Sequence, residues 1–151
     1  MPGHPLTNRL ANPVLRRLLR TPLGRVAGRR LAVLRYPGRR TGWPHELVVQ
    51  YARDGDTVWV LVGAAAGKTW WRNLREPSDV ELWLAGEHRR ARARVVTGAE
   101  RPDECAAGLA AYLAAVPHTA AALGLPGDAG TRRAALSEVV GGVVLVRADL
   151  A

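Results

Sequence analysis

Two runs of alternating apolar and polar residues meet at Asp54-Gly55, and this meeting constrains the fold more than any other feature of the chain. In "YARDGDTVWVLVG" the Asp-Gly pair is the strongest short hairpin signal a sequence carries, because glycine accepts the positive φ that tight hairpin turns require. His45 to Arg53 and Thr57 to Val62 therefore read as neighbouring antiparallel strands. A second hairpin follows. Val80, Leu82 and Leu84 alternate with Glu81 and Trp83, Gly86-Glu87 turns the chain, and Ala91, Ala93 and Val95 alternate with Arg90, Arg92 and Arg94. Leu31 to Tyr36 and "GGVVLVRA" (Gly141 to Ala148) bring the total to about six strands. Tight turns join these strands instead of helical crossovers, which argues against a doubly wound parallel sheet. The pattern predicts a mainly β fold, a small antiparallel barrel with peripheral helices.

The helical signals lie around the strands. Asn12 as an N-cap with Pro13 at the first helical position, repeated by Thr21-Pro22, predicts two short helical pieces over about residues 12–30. Val14, Leu15, Leu18 and Leu19 form an apolar stripe flanked by Arg16, Arg17 and Arg20, as in a basic amphipathic helix. Such a helix lies either on its own barrel or on an anionic membrane. A short helix is expected from Thr69 to the stop at Pro77, an alanine-rich one from Pro102 to about Val116, and another patch from about Gly130 to Val139.

At 151 residues and 48% hydrophobic composition, the chain is expected to form one domain, residues 1–151, with a single core. Its single cysteine, Cys105, excludes an internal disulfide framework and any zinc site built on cysteines. His4, His45, His88 and His118 are scattered without metal-ligand spacing, so no metal site is expected. No apolar run approaches the roughly 18 residues of a membrane span, and no signal-peptide pattern opens the chain. These features predict a cytoplasmic protein. The formal net charge of +9 calls for an anionic partner: nucleic acid, an acidic membrane surface or a polyanionic small molecule.

Two basic loops, "PGRRTG" (Pro37 to Gly42) and "GAAAGKTWWRN" (Gly63 to Asn73), are the candidates for holding that partner. The second ends in Gly67-Lys68-Thr69 but is not a nucleotide P-loop. Five residues before Gly67 stands Val62 rather than glycine, and Pro77 ends the following helix too soon. Lys68 is the only lysine among 22 basic side chains. Arg39 and Arg40 offer forked donors for phosphate or carboxylate, and Thr41 with the backbone N–H groups near Gly38 and Gly42 can complete an anion nest. Lys68 adds a point charge, and the helix beginning near Thr69 adds its N-terminal N–H groups. Trp70 and Trp71 point different ways, so one can pack into the barrel while the other lines a cleft. Asn73 either holds the loop or donates to a ligand. The competing reading is a basic turn and an unrelated short helix carrying two core tryptophans.

"YPGRRTG", then "YARDGDTVWVLVG", "KTWWRNL" and "RARARVVTGAE", resemble in order and spacing the deazaflavin-dependent nitroreductase and quinone reductase family, over about Asn12 to Glu100. The resemblance implies a split β-barrel, commonly dimeric, that uses coenzyme F-420. That cofactor's phosphate and oligoglutamate tail are anionic and are held by the glycine-arginine loop and a lysine–tryptophan–asparagine segment. Carried over, Arg39, Arg40, Thr41 and Gly42 contact the tail and phosphate, and Lys68, Thr69, Trp71 and Asn73 contact the phosphate or ring. The implied chemistry is hydride transfer from reduced deazaflavin to a quinone, nitro compound or activated alkene, with reactivity supplied by the cofactor. Tyr112, with His118 nearby, is the candidate proton donor to the substrate; the alternative is a helix tyrosine packed on the barrel.

Rival readings keep the barrel and change the ligand to FMN, FAD or a haem-derived tetrapyrrole, or dispense with a cofactor altogether. A nucleic-acid surface is the rival of another class, with Arg90, Arg92 and Arg94 on one strand face and Trp83 with Arg89 as a stacking platform. No RNA-binding motif accompanies it.

Overall fold

A computed structural model describes residues 31–63, 65–117, 119–123, 125 and 135–151. The basic helical segment expected over residues 12–30 lies outside the described residues, as do His118 and the first part of the helical patch expected from Gly130.

Seven strands form one antiparallel sheet: β1 (Leu31–Pro37), β2 (Pro44–Gln50), β3 (Ala52–Asp54), β4 (Thr57–Leu61), β5 (Ser78–Leu84), β6 (Glu87–Thr97) and β7 (Val144–Leu150), in the order β2-β1-β5-β6-β7-β4-β3. The sheet is a half-barrel of the split-barrel type. Both hairpins read from the sequence are present. Gly55 turns β3 into β4 at φ 61°, and Ala85-Gly86 turns β5 into β6 at φ 49° and 78°. Positive φ at both central residues suits the right-handed twist of the flanking strands.

One expected strand is two. His45 to Arg53 divides at Tyr51, so that β2 and β3, consecutive in the chain, occupy opposite edges of the sheet. Leu47, Val49 and Tyr51 continue their alternation into the interior through the division. The sequence pattern therefore carries no mark of the bend, which comes from a twisted sheet curling on itself. The last strand begins at Val144 rather than Gly141, because residues 140–142 form a 3-10 turn. That turn runs against Gly98, where a Cβ would fall 1.6 Å from the Val140 carbonyl oxygen.

Strand alternation separates two cores. Ala32, Leu34, Tyr36, Val58, Val60, Leu82, Ala93 and Val146 fill the interior with Trp71 and Leu74. On the other side of the sheet, Trp59, Val96 and Leu145 are covered by helix α1 (Pro102–Ala115) through Cys105, Leu109, Tyr112 and Leu113. Pro102 in the first turn, followed by Asp103 and Glu104, suits the start of that helix. Gly108 lets α1 rest directly on Trp59, since a Cβ there would meet the indole at 2.5 Å. Burial pushes the Cys105 thiol up to about 11, leaving it protonated and inert at neutral pH.

Candidate functional site

The loop between β1 and β2 is held by its own hydrogen bonds. Pro37 and Pro44 face each other at the end of the ladder, where neither needs an N–H. Gly38 N–H donates to the Trp43 carbonyl and Gly42 N–H to the Gly38 carbonyl, both at 2.8 Å, with Gly42 at φ 73°. The Gly38 and Gly42 amides, two of the backbone donors near this turn, are therefore spent within the loop itself. Thr41 Oγ1 accepts from Trp43 N–H at 3.2 Å and keeps its own O–H free to donate.

The Lys68 segment also folds differently from its expected helix. It forms two 3-10 turns, Ala65–Gly67 and Trp70–Leu74, with no side-chain cap from Thr69. Five residues make too short a dipole to serve as an anion site, so the expected N-terminal donors are replaced by side chains. In a 3-10 turn, residues three apart lie on one side, and this sorts the segment. Trp71 and Leu74 are buried in the interior. Thr69 and Arg72 face a cleft. Trp70 and Asn73 are joined, Asn73 Nδ2 donating to the Trp70 carbonyl at 2.8 Å.

Asn73 also brackets the two loops together, its Oδ1 accepting from Arg39 N–H at 2.9 Å. Between the loops lies a cleft of about 530 Å³. Of the residues singled out in the sequence, Arg39, Arg40, Thr41, Thr69 and Asn73 line it. Gly42 shapes the loop, and Lys68 stands fully in solvent next to Thr69. Trp71 does not reach the cleft. It is 6% exposed, and its Nε1–H is spent on the Ala65 carbonyl at 3.0 Å. Its neighbour Trp70 is half-buried and packs against Tyr36 at 6.0 Å. Tyr112 lies in the core on the opposite side of the sheet, 3% exposed, and burial raises its hydroxyl above the ordinary tyrosine value. The structure thus gives it a packing environment, away from the two loops.

Two cleft residues escaped the sequence reading, His45 and Arg72. Arg72 lies over the Trp71 ring at 5.6 Å, and its Nε is buried without a hydrogen-bond partner. The signal for Arg72 was its three-residue spacing from Thr69, visible only once the segment is taken as a 3-10 turn. For His45 the signal was its place one residue inside β2, opposite Tyr36.

Three arginines line the cleft, and among the described residues no carboxylate pairs with Arg39, Arg40 or Arg72. The outer strand face is different. Arg94 grips Glu104 through two bonds of 2.6 and 2.9 Å, Arg92 meets Asp79 at 3.1 Å, and Arg147 meets Asp149 at 3.1 Å. The stacking platform expected at Trp83 is covered from within the chain, since His88 stacks on it at 4.6 Å and 19°. Of the basic strand face of the nucleic-acid reading, Arg92 and Arg94 thus meet carboxylates, while Arg90 is exposed without one among the described residues.

An antiparallel seven-stranded half-barrel of this kind defines a split-barrel protein. The chain belongs to the F420H(2)-dependent quinone reductase family, whose model matches residues 8–112. Coenzyme F-420 is that family's cofactor. Three solved structures share the fold. One is an F420-H2 dependent reductase, 12% identical, with 79% of this chain and 94% of that one covered and a TM-score of 0.54. Another is a pyridoxamine 5'-phosphate oxidase-like protein from Listeria innocua, 10% identical, with coverage of 85% and 89% and a TM-score of 0.52. The third is a domain-swapped dimer, 14% identical, with coverage of 95% and 99% and a TM-score of 0.54. No curated protein sequence matches the chain significantly.

Proposed function

We propose that this F-420-dependent oxidoreductase reduces a quinone, with nitro compounds and activated alkenes as further acceptors. The observation that carries the reading is the convergence of Arg39, Arg40 and Arg72 on one cleft without a carboxylate. Such a group is costly for a protein to assemble unless an anion completes it. A phosphate and a carboxylate-bearing tail fit it, the guanidinium forks matching both oxyanions and Thr41 adding a hydroxyl donor. Lys68 contributes long-range attraction from the rim, while Thr69 and Asn73 hold the wall against which the ligand rests. When bound, reduced coenzyme F-420 supplies the hydride; the chain supplies charge complementarity, orientation and exclusion of water. We place the protein in the cytoplasm and expect it to work as a homodimer. Among the described residues no helix is long and apolar enough to cross a membrane.

Titration with coenzyme F-420, and in parallel with FMN, FAD and haem, tests the reading. Saturable binding of the deazaflavin, weakened severalfold by Lys68→Ala and followed by turnover of a soluble quinone, is the expected result. Binding of a flavin or haem in its place would leave the barrel and change the activity.

A further inference from the structure

His45, the second residue of β2, lines the cleft, solvent-exposed, with its ring stacked on Tyr36 at 5.6 Å and 27°. The imidazole lies over Gly38. A Cβ at position 38 would come within 2.8 Å of Nε2 and 3.2 Å of Cδ2, so the missing side chain is what gives the ring its place. Among the described residues neither ring nitrogen has a hydrogen-bond partner. Tyr36 from β1 stacks on the ring, and the charged groups that line the same cleft are Arg39 and Arg40 from the loop and Arg72 from the 3-10 turn. Glu46, the next residue of β2, takes the other face by strand alternation. No carboxylate of the cleft is therefore available to hold a proton on His45.

An oxyanion drawn in by the three arginines changes that balance. It places a negative charge beside the imidazole, which favours the doubly protonated ring, and the imidazolium returns a charge-assisted hydrogen bond. Binding and protonation then strengthen each other by the same factor. We infer that His45 is a proton-linked ligand of the cleft, which takes up a proton as it receives a phosphate-type or carboxylate oxyanion and thus binds more tightly in mild acid than in mild base. The inference rests on the cleft being an anion site and not on the identity of the coenzyme.

Sulfate is the suitable probe because its own charge is constant from mildly acidic to mildly basic pH. Calorimetric titration of the whole chain in two buffers of different ionisation enthalpy counts the protons taken up. The wild-type dissociation constant for sulfate should rise by up to about tenfold per pH unit through the range where histidine loses its charge, roughly pH 5 to 8. Binding within that range should take up close to one proton as the site fills, and well below it almost none. His45→Gln, which keeps a hydrogen-bonding amide without a titrating charge, should abolish both effects, and Gly38→Ala should diminish them by pushing the ring aside. Wild-type sulfate binding that is independent of pH, an unchanged pH dependence in His45→Gln, or no sulfate binding at any pH would each overturn the inference. A parallel titration separates it from the cofactor assignment. Coenzyme F-420 binding with no pH dependence sinks the role of His45 and leaves the cofactor in place. A His45-dependent slope for sulfate with no coenzyme binding does the reverse.

Discussion

On the outer face of the sheet, Arg94 is locked between two Glu104 oxygens and Arg92 and Arg147 each meet a carboxylate, whereas the cleft gathers Arg39, Arg40 and Arg72 with none. Both regions are rich in arginine, and only their company differs. Where the acids are present, the arginines attach α1 and the strand edges to the fold. Where they are absent, the positive charge is left for something that arrives from solution. Among the described residues, the cleft between the two loops is one place where positive charge is left without an acid to pair with.

The largest test of that contrast is removal of the unpaired charges. Arg40→Ala combined with Arg72→Ala should weaken coenzyme F-420 binding by about a hundredfold or more, since each charged hydrogen bond contributes roughly 1.5–3 kcal/mol and 1.4 kcal/mol is tenfold. Equilibrium titration by fluorescence measures it, and an affinity within threefold of wild type would remove the cleft as the binding site.

Asn73→Ala comes next. It breaks the bracket from Arg39 N–H to the Trp70 carbonyl, and should cost about tenfold in affinity through disorder of the two loops. Faster hydrogen exchange at the Arg39 amide would mark the cause as positional.

On the other side of the comparison, Glu104→Gln should lower stability by about 1–2 kcal/mol, between the values of exposed and buried charged pairs, and leave cofactor binding unchanged. The hydrogen bond from Arg94 holds the Glu104 carboxyl below its ordinary value of 4.5. Because the folded value is the lower one, the contribution is complete above the unfolded value and is lost as pH falls toward the folded one. Urea midpoints for wild type and Glu104→Gln should therefore differ at neutral pH and converge in acid. Asp79→Asn, at an exposed pair, should produce no measurable change in either stability or binding.

Much of the barrel was legible because local rules and the tertiary fold agree. Asp54-Gly55 and the alternation of β4 to β6 required only that each strand have one wet and one dry face. Proline at 102 and the alanine-rich run after it marked α1. The bend at Tyr51 was not legible, since the inward alternation of Leu47, Val49 and Tyr51 passes through it unbroken. The Lys68 segment misled for a related reason. The short run between Gly67 and Pro77 satisfies a helical turn and a 3-10 turn equally, and only the second sends Trp71 inward and Arg72 to the cleft. Tyr112 shows the same limit: its helix was legible, the side of the sheet on which that helix lies was not.

By itself, the sequence determined that the chain would be an antiparallel β protein with two basic loops seeking an anion, because hairpin turns, alternation and net charge are local or additive properties. Tertiary structure alone decided which arginines would be neutralised and which left open, which tryptophan would be buried, and that His45 would stand over Gly38 among three guanidinium groups. Those outcomes depend on residues distant in sequence arriving at one place, and pairing of charges across space has no periodicity for a sequence to display.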